Sequence, residues 1–261
     1  MPQAIADNAS ALSSLAAGRR PAQKRSHLRV TALLDAADRL LEDRDINDIG
    51  LYDVAHMAEV PPTSAYHFFP TKESVFLALA QRYLQTLHTA LQAPIDLEAI
   101  ERWQDLVIIR YDRVVEYFNA SLPARKLFIG MAVGSDVKKL DFEDMDNLVV
   151  WFHRSMDAIF EMPFVRDPAF KFTVLFGIQD GIWASSYAKH GHITPAFAEE
   201  GRRAAIAYLS TFLPQTIALR PPNGDQGPPV PEAAALPGQP HFESNPARAT
   251  RRTRPKVSRT S

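Results

Sequence analysis

Cysteine is absent from the 261 residues of the chain, which excludes disulfides and every metal site or nucleophile that depends on a thiolate. The sequence also lacks a run of about eighteen apolar residues, the length that a membrane-spanning helix requires. Its first twenty residues contain no charged region followed by an apolar run, so no signal peptide is predicted. These absences predict a cytoplasmic protein without a membrane partner.

Basic residues concentrate at both ends of the chain, although the net charge of −1 argues against nucleic-acid binding through bulk positive charge. Five basic residues lie within 19–29 and six within the last eighteen residues, with no acidic residue in either segment. Residues 1–24 are rich in Ala and Ser, and residues 221–261 hold nine prolines without a repeat. We therefore predict a disordered basic arm over 1–24 and a disordered Pro-rich basic tail over 218–261.

The apolar residues between these two ends recur at helical spacing, and no segment shows the alternation typical of a strand. The predicted fold is all-α, with an N-terminal three-helix domain and a larger C-terminal helical bundle. Prolines at helix starts and polar capping residues set the predicted boundaries. The predicted helices are 25–43, 51–58, 62–69, 72–92, 96–119, 123–133, 136–162, 167–190 and 194–213.

The two short predicted helices, 51–58 and 62–69, are joined by a tight turn and follow a longer helix. This arrangement is typical of a helix-turn-helix, whose second helix enters the DNA major groove. An ordinary helical hairpin is the alternative that this spacing leaves open.

Lysine is an unexpected residue at the start of the next helix. Thr71 is a suitable N-cap, which places Lys72 in the first turn, where its charge opposes the helix dipole. A phosphate oxygen would compensate, because helix N–H groups, the dipole and an ammonium group together favour an anion. The position predicts a phosphate contact, with a solvated surface lysine as the alternative.

The segment "VAHMAEVPPTSAYHFFPTKESV" resembles the N-terminal DNA-binding region of TetR/AcrR-type transcriptional regulators, in which a helix rich in Ala and Leu precedes "IA..AGVS.GTLYHHFPSKE". The similarity covers about fifty residues without a break in register. The residues that match the family pattern are Val54, Ala55, Ala58, Val60, Tyr66, His67, Phe69, Pro70, Lys72 and Glu73. The resemblance implies a DNA-binding domain over 25–81 and a ligand-binding and dimerisation domain over 82–217.

Three positions depart from the family pattern. Glu59 stands where the turn glycine is usual, Pro61 where a Ser cap is usual, and Thr63 where a second glycine is common. A glutamate reaches positive φ only at a cost, and proline has no side-chain oxygen with which to cap. We therefore expect a strained turn and an altered start of the second helix.

In this family the tyrosine and lysine of the motif contact DNA phosphates, so the resemblance implies that role for Tyr66 and Lys72. Neighbouring positions on the same helix are predicted to meet phosphates and base edges. The predicted DNA-binding residues are Arg25, Thr63, Ser64, Tyr66, His67 and Lys72. Since residues 29–72 hold four basic and eight acidic side chains, a net of −4, we hypothesise that the N-terminal arm supplies much of the attraction to double-stranded DNA.

The larger helical half is dense in aromatic residues and methionine, which form either core or the walls of an apolar cavity between helices. The resemblance implies a pocket there for a small, largely apolar effector. Core packing is the alternative for every residue that we assign to it. The predicted ligand-binding residues are Trp103, Phe128, Met131, Trp151, Phe152, His153, Phe176 and Gln179.

The last two long predicted helices look like the pair that forms a four-helix dimer interface in this family. A homodimer suits the DNA-binding half, because two recognition helices one DNA turn apart bind a palindrome. The predicted interface residues are Gly177, Gly181, Ile182, Ser185, Ile206, Leu209 and Phe212. The resemblance implies a ligand-responsive regulator, most often a repressor.

Two other classes of function remain as alternatives. An all-helical enzyme would need catalytic groups, but the sequence holds no phosphate-binding loop, nucleophile elbow or zinc-protease motif. His190 and His192 flank a glycine without further ligands nearby in sequence, so no metal and no cofactor are predicted. A non-specific nucleoid-type DNA binder acting through its basic ends is the second alternative.

Overall fold

The protein is described here by a computed structural model that covers residues 24–130 and 134–221, except the side chains of residues 142 and 146. The predicted all-α fold is confirmed. Residues 24–43 are helical and are called α1. The following helices are α2 (Leu51–Met57), α3 (Pro62–Phe68), α4 (Lys72–Leu91), α5 (Trp103–Ala120), α6 (Leu122–Phe128), α7 (Ser135–Asp157), α8 (Pro168–His190) and α9 (Pro195–Leu209).

Short 3₁₀ turns at Ile46–Asp48 and Leu97–Ala99 complete the regular structure of the described ranges. Within these ranges, extended backbone pairs only in one isolated antiparallel bridge, between Phe160 and Leu219. Each helix in the described part of the chain is too short or too polar to cross a membrane. Most of the predicted arm and tail, and the predicted ligand residue Met131, lie outside the described residues.

Helices α5 and α7 are among those that are shorter than predicted. Helix α5 begins at Trp103 rather than at residue 96, because the Asp105 carboxylate accepts a hydrogen bond from the Arg102 N–H at 2.8 Å and starts a new helix there. Helix α7 ends at Asp157 rather than at 162, since the Glu161 N–H donates to the Ala218 carbonyl at 2.9 Å. The chain after α7 therefore pairs with the segment after α9.

The core consists of two clusters that share α4. The first half of α4, with Val75 and Leu79, belongs to the same cluster as α1, α2 and α3. Leu87 and Leu91, near the end of α4, belong to the cluster of the larger half. The predicted division at residue 81 falls inside this continuous helix, and the assignment of two domains stays a prediction. One 20-residue helix thus takes part in both halves of the molecule.

Candidate functional site

Helices α2 and α3 form a helix-turn-helix with a left-handed residue in its turn. Glu59 has φ of 54°, which a side chain rarely adopts and which the missing glycine led us to expect. The Val60 N–H donates to the Ala55 carbonyl at 3.0 Å and closes the turn. Val54, Ala55, Val60 and Ala65 are buried and hold the two helices together.

Helix α3 exposes one face of polar and aromatic side chains. Tyr66 is 52% exposed, and Thr63 and His67 are also exposed, whereas Ser64 is half-buried. The opposite face is core: Ala65 is fully buried. Because Pro62 is the first residue of the helix, the absence of a side-chain cap from the preceding residue removes little.

Helix α4 begins four residues after the end of α3. The Thr71 hydroxyl accepts the Ser74 N–H at 3.2 Å, which confirms Thr71 as the N-cap. The Lys72 ammonium donates to the Asn47 carbonyl at 3.2 Å, so it leans on the 3₁₀ turn before α2. Arg25 is exposed on α1. Among the described residues, the Lys72 ammonium makes one hydrogen bond, to a neutral carbonyl at the surface, which leaves its charge available to an anion.

Polar contacts connect α1 to the helices of the larger half. Arg82 on α4 lies 2.5 Å from the Asp35 carboxylate, and the neighbouring Tyr83 hydroxyl donates to Asp38 at 2.5 Å. Burial and the Asp38 carboxylate raise the pKa of Tyr83 above its usual range. The Ser121 hydroxyl at the start of α6 donates to the Tyr83 oxygen at 3.1 Å. These contacts connect α1 to α4 and, through Tyr83, to the start of α6.

A cavity of about 120 Å³ lies between the helices of the larger half, with lining residues from α4, α5, α6, α7, α8 and α9. Its walls are largely apolar, which suits a small organic ligand. The apolar lining residues include Leu87, Leu91, Val107, Val114, Phe118, Phe128, Met145, Leu148, Trp151, Phe152, Leu175, Phe176 and Trp183.

Four polar side chains also line the cavity: Arg110, Asp141, Gln179 and Asp180. Burial lowers the pKa of the Arg110 guanidinium to about 9, and repulsion from Arg113 adds to that effect. Burial raises the pKa of Asp141 to about 6, with a contribution from Asp180 and against the opposing effect of a nearby lysine. The cavity is therefore apolar with ionisable groups at defined places.

Five of the predicted ligand-binding residues line this cavity: Phe128, Trp151, Phe152, Phe176 and Gln179. Trp103 does not line it: its ring is fully buried, and its indole N–H donates to the Pro214 carbonyl at 2.9 Å. His153 is half-buried and lies off the cavity face of α7, since the next residue along a helix turns away by about 100°.

Arg110 is the cavity residue that our sequence analysis should have found. It stands on the apolar face of α5, between Val107 and Tyr111 at helical spacing. A charged residue within such a stripe indicates a binding or functional position, because charged side chains are rarely buried unless they are paired. Asp141, Asp180 and Trp183 were missed as well, and nothing in their local sequence pattern marks them.

The predicted interface residues on α8 lie on an open face. Gly177, Gly181 and Ser185 recur every four residues and are exposed, and there is open space where a Cβ would stand on either glycine. Ile182, Ile206 and Phe212 are half-buried. The prediction of Leu209 as an interface residue is wrong, because Leu209 is fully buried in the core of its own chain.

These features define a helix-turn-helix protein in which α4 takes part both in the helix-turn-helix half and in a pocket-containing helical bundle. The family described as bacterial regulatory proteins, tetR family, matches residues 33–79. The chain is 36% identical over 101 residues to the HTH-type transcriptional regulator EthR of Mycobacterium tuberculosis (strain CDC 1551 / Oshkosh), a match that covers 37% of this chain and 47% of that protein. The chain thus spans about half the length of the curated relatives it matches.

Solved structures share the fold over most of the chain. A TetR-family transcriptional regulator from Streptomyces coelicolor superposes with a TM-score of 0.53 at 22% identity, covering 71% of this chain and 98% of that one. The multidrug binding protein EbrR, complexed with ethidium, gives 0.51 at 18% identity, covering 69% and 98%. The helix-turn-helix segment is thus similar to the tetR family of bacterial regulatory proteins, and most of the chain shares the fold of these solved structures.

Proposed function

We propose that the protein is a homodimeric transcriptional regulator that binds a palindromic DNA site through α3 and leaves it when a small molecule occupies the cavity. The observation that carries this proposal is the position of α4. Its first residue, Lys72, is next to the helix-turn-helix, and Leu87 and Leu91 near its other end line the cavity. One rigid element about 28 Å long thus touches both sites.

The exposed face of α3 supports DNA binding. Tyr66, Thr63 and His67 offer hydroxyl and imidazole groups to phosphates and base edges, and no part of the described chain covers them. Lys72 and the helix N-terminus that follows Thr71 suit a DNA phosphate. Such a protein acts where the chromosome is, so we propose a cytoplasmic location.

The contacts of α1 support ligand control. An effector that prefers one position of α4 or α6 should also shift α1. Arg82 and Tyr83 of α4 pair with α1 carboxylates, and the Lys126 ammonium of α6 donates to a carbonyl near the end of α1. Only a ligand that binds one arrangement more tightly than the other can do this. The structure of EbrR contains the small molecule ethidium, which supports a small-molecule effector for a protein of this fold.

The open face of α8 supports dimerisation. Gly177, Gly181 and Ser185 would allow a second α8 to approach closely, and α9 would complete a four-helix contact. A two-fold dimer presents two copies of α3 to the two halves of a palindrome.

The test is a selection of DNA fragments from the source genome by the full-length protein at fixed moderate salt. The variant Tyr66→Ala, Lys72→Ala is the critical comparison, and Lys139→Ala, at an exposed lysine of α7, is the matched control. We expect wild type and control to enrich one inverted repeat that the double variant does not enrich. Enrichment of the same fragments by the double variant would reject the recognition helix and favour non-specific binding through the basic ends.

A further inference from the structure

Three buried side chains leave hydrogen-bonding groups unused at the cavity. Arg110 is 6% exposed, Gln179 is 3% exposed and Trp151 is 9% exposed, and all three line the cavity. Among the described residues, Arg110 Nε and Nη1, Trp151 Nε1 and both amide atoms of Gln179 find no hydrogen-bond partner. Buried polar atoms are usually satisfied, so such a cluster indicates groups that a ligand completes.

The guanidinium of Arg110 is the charged member of this cluster. Its central carbon lies 4.6 Å from the centre of the Trp151 ring and 5.2 Å from that of Phe152. Aromatic faces stabilise a cation only partly, and a buried charge without a counter-ion is costly. Because its pKa of about 9 exceeds neutral pH, Arg110 still carries its charge in the cell. Stability alone does not explain its presence.

The neighbouring Arg113 shows what a satisfied arginine looks like on the same helix. Its guanidinium donates to the carbonyls of Leu91, Ala93 and Pro94 at 3.3, 2.6 and 2.6 Å, where it caps the end of α4. Arg110 has no such contacts in the described part of the chain, although it is the more buried of the two.

The acidic end of the cavity is partly compensated by one lysine. Lys138 lies 3.6 Å from the Asp141 carboxylate and 3.5 Å from that of Asp180, and it also donates to the Phe128 carbonyl at 3.0 Å. Asp141 stands ten residues before Trp151 on α7, which separates these two positions by about 15 Å. The carboxylates at that end thus share a cationic partner, whereas Arg110 at the opposite end has no carboxylate partner among the described side chains.

From this asymmetry we infer that the effector is a small apolar molecule with one carboxylate, which pairs with Arg110 while Gln179 and the Trp151 N–H complete its hydrogen bonds. This inference rests on the proposed role of the cavity as the effector site. A planar guanidinium suits a carboxylate, and one arginine neutralises one negative charge. An apolar cavity of about 150 Å³ accommodates benzene, so the 120 Å³ here favours a body of one ring or a short chain.

The test compares matched probes by calorimetry with the full-length protein: benzoate, benzyl alcohol and benzylamine, then hexanoate and hexan-1-ol. We expect each carboxylate to bind at least about tenfold more tightly than the alcohol of the same skeleton, as a charged hydrogen bond in a buried site implies. Equal binding of acid and alcohol, tighter binding of the amine, or no binding of any probe would overturn the inference.

Variants assign the preference to one residue. Arg110→Met keeps the apolar stem and should abolish the preference for the acid while it leaves alcohol binding within about twofold of wild type. Arg110→Lys, which keeps a charge without the fork, should retain part of the preference. Arg154→Met is the matched control, because Arg154 is an exposed arginine one turn from Trp151. An acid preference that survives in Arg110→Met would reject Arg110 as the carboxylate partner.

Operator binding separates this inference from the proposed function. Wild type without ligand should bind the selected inverted repeat whatever the outcome of the probe measurements. Absence of carboxylate binding in a wild-type protein that binds this repeat would refute only the inference. Carboxylate binding by a protein that enriches no DNA site would refute the proposed function and leave the pocket assignment standing.

Discussion

The Lys126 ammonium on α6 donates to the Leu41 carbonyl at the end of α1 at 2.5 Å. It also donates to the Arg44 carbonyl at 3.0 Å, so one side chain caps the last turn of α1. Phe128, two residues further along α6, lines the cavity. The cap of α1 and the wall of the pocket are thus parts of the same short helix.

We expect Lys126→Met to lower the free energy of unfolding by about 1 to 2 kcal/mol, because two carbonyls lose a charged donor in a half-buried place. Hydrogen exchange should accelerate in residues 38–46 and not elsewhere in α1. Urea unfolding and exchange followed by mass spectrometry measure both effects. Lys139→Met serves as the control, and unchanged exchange at the end of α1 would show that Lys126 does not fix this helix.

Lys72→Ala should weaken binding to the selected operator at every salt concentration. If Lys72 contacts one phosphate, the slope of log affinity against log salt should decrease by about one, with little change in sequence preference. Fluorescence anisotropy across a salt series provides the measurement. A slope equal to that of wild type would assign Lys72 to its Asn47 contact alone.

Asp141 makes stability depend on pH in an identifiable window. Its folded-state pKa of about 6 exceeds the ordinary value of 3.8, so the folded protein binds the extra proton between these values. The free energy of unfolding contributed by this group therefore falls as pH rises from about 4 to about 6 and stays low above that.

Asp141→Asn should remove this fall. Because part of the cost is returned by Lys138, we expect the variant to be about 1 to 2 kcal/mol more stable than wild type at pH 7 and similar to it at pH 4. Urea unfolding at both pH values measures the difference. Glu143→Gln, an exposed position on the same helix, should show no such dependence.

Gly201 on α9 packs so closely against the Tyr111 side chain of α5 that a larger residue does not fit there. A Cβ there would lie 1.9 Å from the Tyr111 hydroxyl, which accepts the Trp183 indole N–H at 3.0 Å. Alanine favours a helix by about 1 kcal/mol over glycine. We nevertheless expect Gly201→Ala to be about 1 to 3 kcal/mol less stable in urea, since Tyr111 must move. Gly134→Ala, with open space around it, is the control, and a stabilised Gly201→Ala would contradict this packing.

Gly181→Arg tests the open face of α8. If two copies of α8 meet there, the large charged side chain should convert the dimer into a folded monomer without loss of helix content. Sedimentation equilibrium and circular dichroism distinguish these outcomes. Gly134→Arg, another exposed glycine, should remain dimeric. A dimeric Gly181→Arg would locate the interface elsewhere.

The helix-turn-helix was predictable because its signals are local. The turn, the proline at the start of α3 and the Thr71 cap each depend on residues within a few positions, and the structure reproduces them. Even the missing glycine was informative, since Glu59 adopts the left-handed conformation that a glycine would have adopted without strain.

The pocket was only partly predictable because it depends on how distant helices pack. Phe128 and Gln179 line it, but the fully buried Trp103 lies outside its lining and Leu209 is covered by its own chain. An apolar helical stripe has the same period whether it faces core, cavity or partner. Only the residues across the gap decide between them, and those are set by tertiary structure.

Because Arg110 lacks a hydrogen-bonded partner among the described residues, a ligand that binds it should stabilise the folded protein against heat. A molecule that neutralises Arg110 adds stability in proportion to the logarithm of its concentration over its Kd, about 2.7 kcal/mol at a hundredfold excess. A chemical library can therefore be screened by heating the purified protein alone. The melting temperature would identify the effector before a single target gene is known.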